Sequence, residues 1–201
     1  MLRLLRLPLV SLLALSLWHC QPASTAAAPV TVTTIDESEY ELFEVATGDS
    51  QRAELRGPEG QLAETGYVRN GLKQGTWTSY NPEGEVPIKI VSYIDGMLNG
   101  PYVELDDLGR LAVVATYKDN QLHGHYGKYR IGRPELTINY TDGQMDGVFA
   151  EYDYAKNKLR KEAYYKMGKM DGPLRHYNED GKIILEYLYK DDVKVSGGMV
   201  E

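Results

Sequence analysis

Cysteine is nearly missing from this chain: Cys20 is the only one in 201 residues, so no disulfide framework can hold it together. Phenylalanine occurs twice and tryptophan twice. Positive charge is scarce, with 22 Lys and Arg against 29 Asp and Glu for a formal net charge of −7. Without Arg3 and Arg6 the balance is 20 against 29, or −9. No basic patch with interleaved aromatics occurs, which argues against nucleic acid as a partner. The longest apolar run, residues 7 to 18, is shorter than the roughly 20 residues that cross a bilayer as a helix. Catalytic signatures are missing too: there is no Gly-x-Ser-x-Gly elbow, no His-Glu-x-x-His and no P-loop. Only His123, His125 and His176 follow residue 20. No catalytic residue, cofactor or metal is expected.

The chain is rich in tyrosine, with 16, and glycine, with 20, and both are periodic. Gly75, Gly100, Gly124, Gly147 and Gly172 form a column at intervals of 25, 24, 23 and 25 residues, a spacing that marks a repeat architecture. Four residues before each stand Gly71, Gly96, Asn120, Gly143 and Gly168; two residues after stand Trp77, Tyr102, Tyr126, Phe149 and Leu174. Five residues after come Tyr80, Leu105, Tyr129, Tyr152 and Tyr177. A further column ahead of the turn holds Val68, Tyr93, Tyr117, Tyr140 and Tyr165. Asn-Gly and Asp-Gly pairs accept positive φ at little cost, so they mark hairpin tips. The stretches before them, such as LTINY at 136 to 140, alternate as strands do, and the second glycine column is expected to open the returning strand. A phenol buries its ring while its hydroxyl stays wet, so a set rich in Tyr and poor in Phe suits a thin sheet. The expected fold is all-β: tandem β-hairpin repeats forming an elongated, single-layer antiparallel sheet.

These copies, best seen in YIDGMLNGPYVEL, YKDNQLHGHYGKY, YTDGQMDGVFAEY and YKMGKMDGPLRHY, resemble the MORN-repeat variant of bacterial proteins. The resemblance covers residues 60 to 190 and implies architecture more than activity. Members often carry an antitoxin-like label, so it implies an immunity protein that neutralises a toxin as one alternative function.

The N-terminus has two basic residues, an apolar run and then Cys20, the layout of a secretory signal peptide over residues 1 to 20. Cys20 resembles the lipidation site of bacterial lipoproteins, with Leu17 matching that site and His19 departing from it; cleavage near Ala26 in PASTAAAP is the competing reading. The protein is thus expected to be exported, to a periplasm or as a membrane-anchored envelope lipoprotein. Residues 21 to 35 are small, mostly uncharged and read as a flexible tether. Residues 36 to 59 form an acidic N-terminal cap or degenerate repeat, and residues 60 to 201 are the repeats, with the polar end VKVSGGMVE as a C-terminal cap that blunts the sheet edge.

The two aromatic columns lie three residues apart, so they are expected on opposite sides of the sheet. One should fill the stack; the other could grip a protein, peptide or glycan. Trp77, Tyr80, Tyr102, Tyr126, Tyr129, Phe149, Tyr152 and Tyr177 are the candidate binding residues. His123 and His125, two apart, could meet Asp119 or Asp146 at a metal, but repeat variation at a hairpin is the simpler account. Asp142, Asp146 and Asp171 lie in turns that lack calcium-loop spacing. The favoured function is a non-catalytic scaffold for an envelope protein partner, with edge-to-edge homodimerisation open; an envelope enzyme acting on glycan or peptide is the other alternative.

Overall fold

A computed structural model describes residues 31 to 46 and 48 to 200; the expected signal peptide and Cys20 lie outside them. The chain forms one open antiparallel sheet of 15 strands in sequence order, apart from the short β10. A degenerate N-terminal hairpin pairs β1 (Glu41–Glu44) with β2 (Gln51–Arg56). Six hairpins follow. They are β3 (Leu62–Arg69) with β4 (Leu72–Tyr80), β5 (Pro87–Ile94) with β6 (Met97–Leu105), and β7 (Leu111–Lys118) with β8 (Gln121–Arg130). Next come β9 (Arg133–Thr141) with β10 (Gln144–Met145) and β11 (Gly147–Asp153), then β12 (Lys158–Lys166) with β13 (Lys169–Tyr177). The last is β14 (Ile183–Lys190) with β15 (Val193–Met199). The substantial packing between strands joins sheet neighbours only, so the sheet is a single layer.

The tips follow from φ. All six are two-residue turns with both residues at positive φ, from Asn70 (52°) and Gly71 (72°) to Asp191 (48°) and Asp192 (67°). That is the turn whose twist matches a hairpin. Each of the five tips after the first also bonds to the hairpin before it. The amides of Gly96, Asn120, Gly143, Gly168 and Asp192 donate to the carbonyls of Lys73, Leu98, Leu122, Met145 and Met170 at 2.8 to 3.0 Å.

The second glycine column does not sit at a turn. Its members lie within the return strand or, for Gly147, at the start of β11, at φ of 60° to 137°. Register there jumps by two residues: Tyr93 faces Leu98 whereas Val91 faces Tyr102, and the same shift recurs in neighbouring hairpins. Glycine is needed because the extra residues form a bulge in a conformation that side chains resist.

Both ends of the described chain are ordered. In VKVSGGMVE, Val193–Met199 forms strand β15, paired to β14 and exposed along most of its length. Residues 31 to 35, the end of the expected tether, are bound across three tips. Ile35 N–H donates to Gly71 O (3.1 Å), Thr33 N–H to Gly96 O (2.8 Å), and Asn120 Nδ2 to Thr31 O (3.2 Å).

Candidate binding faces

Register places one residue from each strand except β10 and β15 in a continuous row on one face. Leu42, Ala53, Gly66, Trp77, Val91, Tyr102, Ala115, Tyr126, Ile138, Phe149, Ala163, Leu174 and Tyr187 follow one another across the sheet. In most hairpins the outgoing strand supplies a small or branched residue and the returning strand a large one. Rings therefore cover their neighbours: Val91, Ala115, Ile138 and Ala163 are buried without any second layer. Each large residue also meets the tyrosine of the next copy. Tyr102 packs on Tyr117 (5.5 Å), Tyr126 on Tyr140 (6.2 Å) and Phe149 on Tyr165 (6.5 Å), arrangements worth about 0.5–1.5 kcal/mol beyond area burial. Burial raises the pKa of Tyr117, Tyr140 and Tyr165. It also raises Tyr102, whose hydroxyl bonds Glu104.

Trp77 is the deepest of the candidate residues, 2% exposed. Its Nε1–H donates to Tyr67 O at 2.9 Å, Tyr40 meets it edge-on at 5.9 Å, and Lys73 Nζ lies 3.9 Å over its ring. Lys73 stands where the other copies have Leu98, Leu122, Met145 and Met170. Its charge is paired to Glu64 at 2.9 Å, and Glu64 also accepts from Tyr40 (2.6 Å) and Ser79 (3.2 Å). This polar knot fastens the N-terminal segment to the first full copy. Trp77 is thus a core residue, and Tyr102, Tyr126 and Phe149 are half-buried stack residues.

The other aromatic column lies on the opposite face. Tyr129 stands against Gly127, where an added Cβ would come within 2.8 Å of its ring. Tyr177 donates to Glu162 at 2.9 Å, beside Arg175, which bonds Glu186 at 2.6 Å. Burial raises the Tyr177 pKa, and the Glu162 hydrogen bond adds to it. Strand alternation puts Tyr80 and Tyr152 on this face too. Between them runs a half-buried aliphatic strip, Ile90, Val103 and Val114, continued by Gly127, Thr137 and Ala150, of which Gly127 and Ala150 are buried; among the described residues no second layer packs over it.

His123 and His125 do not share a site. Gly124 at φ 93° interrupts the alternation; His123 Nδ1 accepts from Asp142 N–H at 3.3 Å, while His125 lies opposite Asn139. Among the described residues no group of three His, Cys, Asp or Glu is placed to hold a metal.

The return loops joining successive hairpins carry features that the column alignment passes over. Three begin with an Asn or Asp whose side chain accepts amides of its own loop: Asn81, Asp106 and Asn178; Asp153 does the same at the end of β11. The loop after β8 is instead the tight pair Ile131-Gly132, with Ile131 at φ 53° and 59% exposed. Arg133 donates to Ala155 O (2.8 Å), and Arg130 stacks 4.4 Å from the Tyr154 ring. A cleft of about 400 Å³ lies among Ile131, Arg133, Tyr154 and Ala155, and another of about 420 Å³ is lined by Lys156, Lys158, Arg160 and Tyr177. Lys156 pairs with Glu179 at 2.5 Å. The RIGR turn was the available signal, since it replaces an Asx-led loop with two arginines and a β-branched residue.

Neither a known-family model nor a curated protein matches this chain.

Proposed function

We propose that the protein is a non-catalytic repeat scaffold of the MORN-like kind, exported and held at an envelope membrane through Cys20, that binds a protein partner on the face bearing Tyr80, Tyr129, Tyr152 and Tyr177. The observation that carries this reading is the half-buried strip Ile90–Val103–Val114, which runs across strands between those tyrosines and over which none of the described elements packs. Rigid apolar surface edged by amphipathic rings is what protein interfaces use as anchors. The opposite face spends its rings on covering Val91, Ala115 and Ala163, which leaves the tyrosine–aliphatic face for recognition.

Capture from an envelope extract tests it. Val103→Ser with Tyr129→Ser should lose the captured protein while Trp77 fluorescence keeps its native emission; undiminished capture by a folded variant would refute the assignment. Cys20→Ser should release the protein from the membrane fraction, and persistence there would remove the anchor from the proposal.

A further inference from the structure

Because the strands run in sequence order, the return loops stand in a line along one end of the sheet, each two strands, or about 9.6 Å, from the next. The four central connections are Tyr80–Pro87, Leu105–Leu111, Arg130–Arg133 and Asp153–Lys158. Their charges are segregated. The first two hold Glu83, Glu85, Asp106 and Asp107 against Arg110, net −3; the second two hold Arg130, Arg133, Lys156 and Lys158 against Asp153, net +3. At the boundary between the halves stand Leu108, 73% exposed, and Ile131, 59% exposed.

We propose that this loop edge is a self-complementary docking surface for a second copy of the chain, related by a two-fold axis between the Leu108 and Ile131 loops. A two-fold contact sets each patch against its counterpart in reverse order. Glu83 and Glu85 of one copy then face Lys156 and Lys158 of the other, whose ammonium groups also bond Glu179 of their own chain; Asp107 faces Arg133, and Leu108 meets Ile131 at the centre. Every charged loop meets one of opposite sign, each such pairing occurs twice, and the Leu108 and Ile131 side chains of both copies leave water together. Sheet twist turns the outer loops away, since adjacent strands rotate by about 20–25°, so contact is confined to these four loops. That limits the buried area to the small end of interface sizes and makes the dimer reversible and weakened by salt.

Sedimentation velocity on the purified protein, from roughly 1 to 300 µM, covers the affinity range of such an interface. A dimer is expected that weakens as salt rises. Glu85→Lys or Lys158→Glu alone should weaken it at least about tenfold, because each creates two like-charge contacts across the axis. An equimolar mixture of the two variants should restore a heterodimer: the two reversed positions then meet with opposite charges at one contact, and the native Glu85 and Lys158 meet at the other. Leu108→Ser with Ile131→Asn should abolish association and leave Trp77 emission unchanged. A monomer at every concentration overturns the proposal. So does a dimer indifferent to both charge reversals but broken by Val195→Lys, which would place the contact on the open β15 edge. Neither readout depends on capture of a partner protein.

Discussion

Gly66→Ala adds one methyl at the most crowded point of the molecule. Gly66 lies beneath Trp77, and a Cβ built there would stand 2.2 Å from the indole ring. Its φ is not left-handed, so the backbone accepts alanine, and lower unfolded-state entropy alone would favour the variant by about 0.4–1 kcal/mol. The ring cannot yield freely: it is held by the Tyr67 carbonyl, by Tyr40 at its edge and by Lys73 over its face. Overpacking costs about 1–3 kcal/mol, and losing the buried indole hydrogen bond costs about 1–3 kcal/mol more. The net expectation is destabilisation by about 1–5 kcal/mol after the entropic gain is subtracted. Urea unfolding of a Trp18→Phe background followed by tryptophan emission measures it cleanly, because Trp18 is the only other tryptophan. Adding Trp77→Leu to Gly66→Ala, followed by circular dichroism, should cost less than the two single changes summed, since the smaller side chain relieves the clash. An unchanged midpoint and emission in Gly66→Ala would show that the ring does not pack on this glycine.

Two other outcomes follow from local geometry. Ile131 occupies the left-handed region with a β-branched side chain, a strain of about 1–2 kcal/mol; Ile131→Asn should therefore raise the unfolding free energy by about 1 kcal/mol, read from the same urea transition, and a loss of stability would show that Ile131 is held by contacts within the chain. Alkaline pH should unfold the sheet cooperatively. Tyr93, Tyr102, Tyr117, Tyr140 and Tyr165 all have raised pKa values with burial as the leading cause, so the unfolded chain ionises first, near pH 10. Their contribution is complete below that pH and is lost as pH climbs toward the folded values. Tyrosinate absorbance and loss of circular dichroism should then rise together, and full ionisation of a still-folded protein would contradict the burial of these rings.

Much of this fold was legible because each hairpin is set by local chemistry. Asn70-Gly71 and Asp142-Gly143 declare a turn in two residues, and Tyr93, Tyr117, Tyr140 and Tyr165 repeat the same strand position. What stayed hidden depends on partners distant in sequence. The bulge at Gly100 shows only once Val91 is seen opposite Tyr102. The sixth hairpin was legible only in its first strand, because Ser196 and Gly198 replace the glycine and aromatic of its columns. The segment over the tips carries no signal of its own, since Thr33 binds through backbone atoms to Gly96. The aromatic columns did separate to two faces, but alternation alone could not tell that Trp77 is core whereas Tyr129 borders a half-buried aliphatic strip. Charge segregation along the loops was present in the sequence and acquires meaning only when the loops stand in one line.

The joint between hairpins is made of backbone atoms: a tip amide, as at Gly143 or Gly168, donating to a carbonyl one copy back. Where Asn120 and Asp192 replace glycine, their side chains add a bond from the amides of Leu98 and Met170 at the same place, so one joint geometry serves every copy. The interior hairpins are therefore interchangeable modules, whereas the first carries Lys73 and the last Lys194, which lies 3.5 Å over the Tyr187 ring. Duplication or excision of one whole 23- to 25-residue interior unit would lengthen or shorten the sheet by a fixed step and leave both ends as they are. In such a molecule length is a property that recombination can change without redesigning a core, and the distance between the two ends behaves as a ruler with removable divisions.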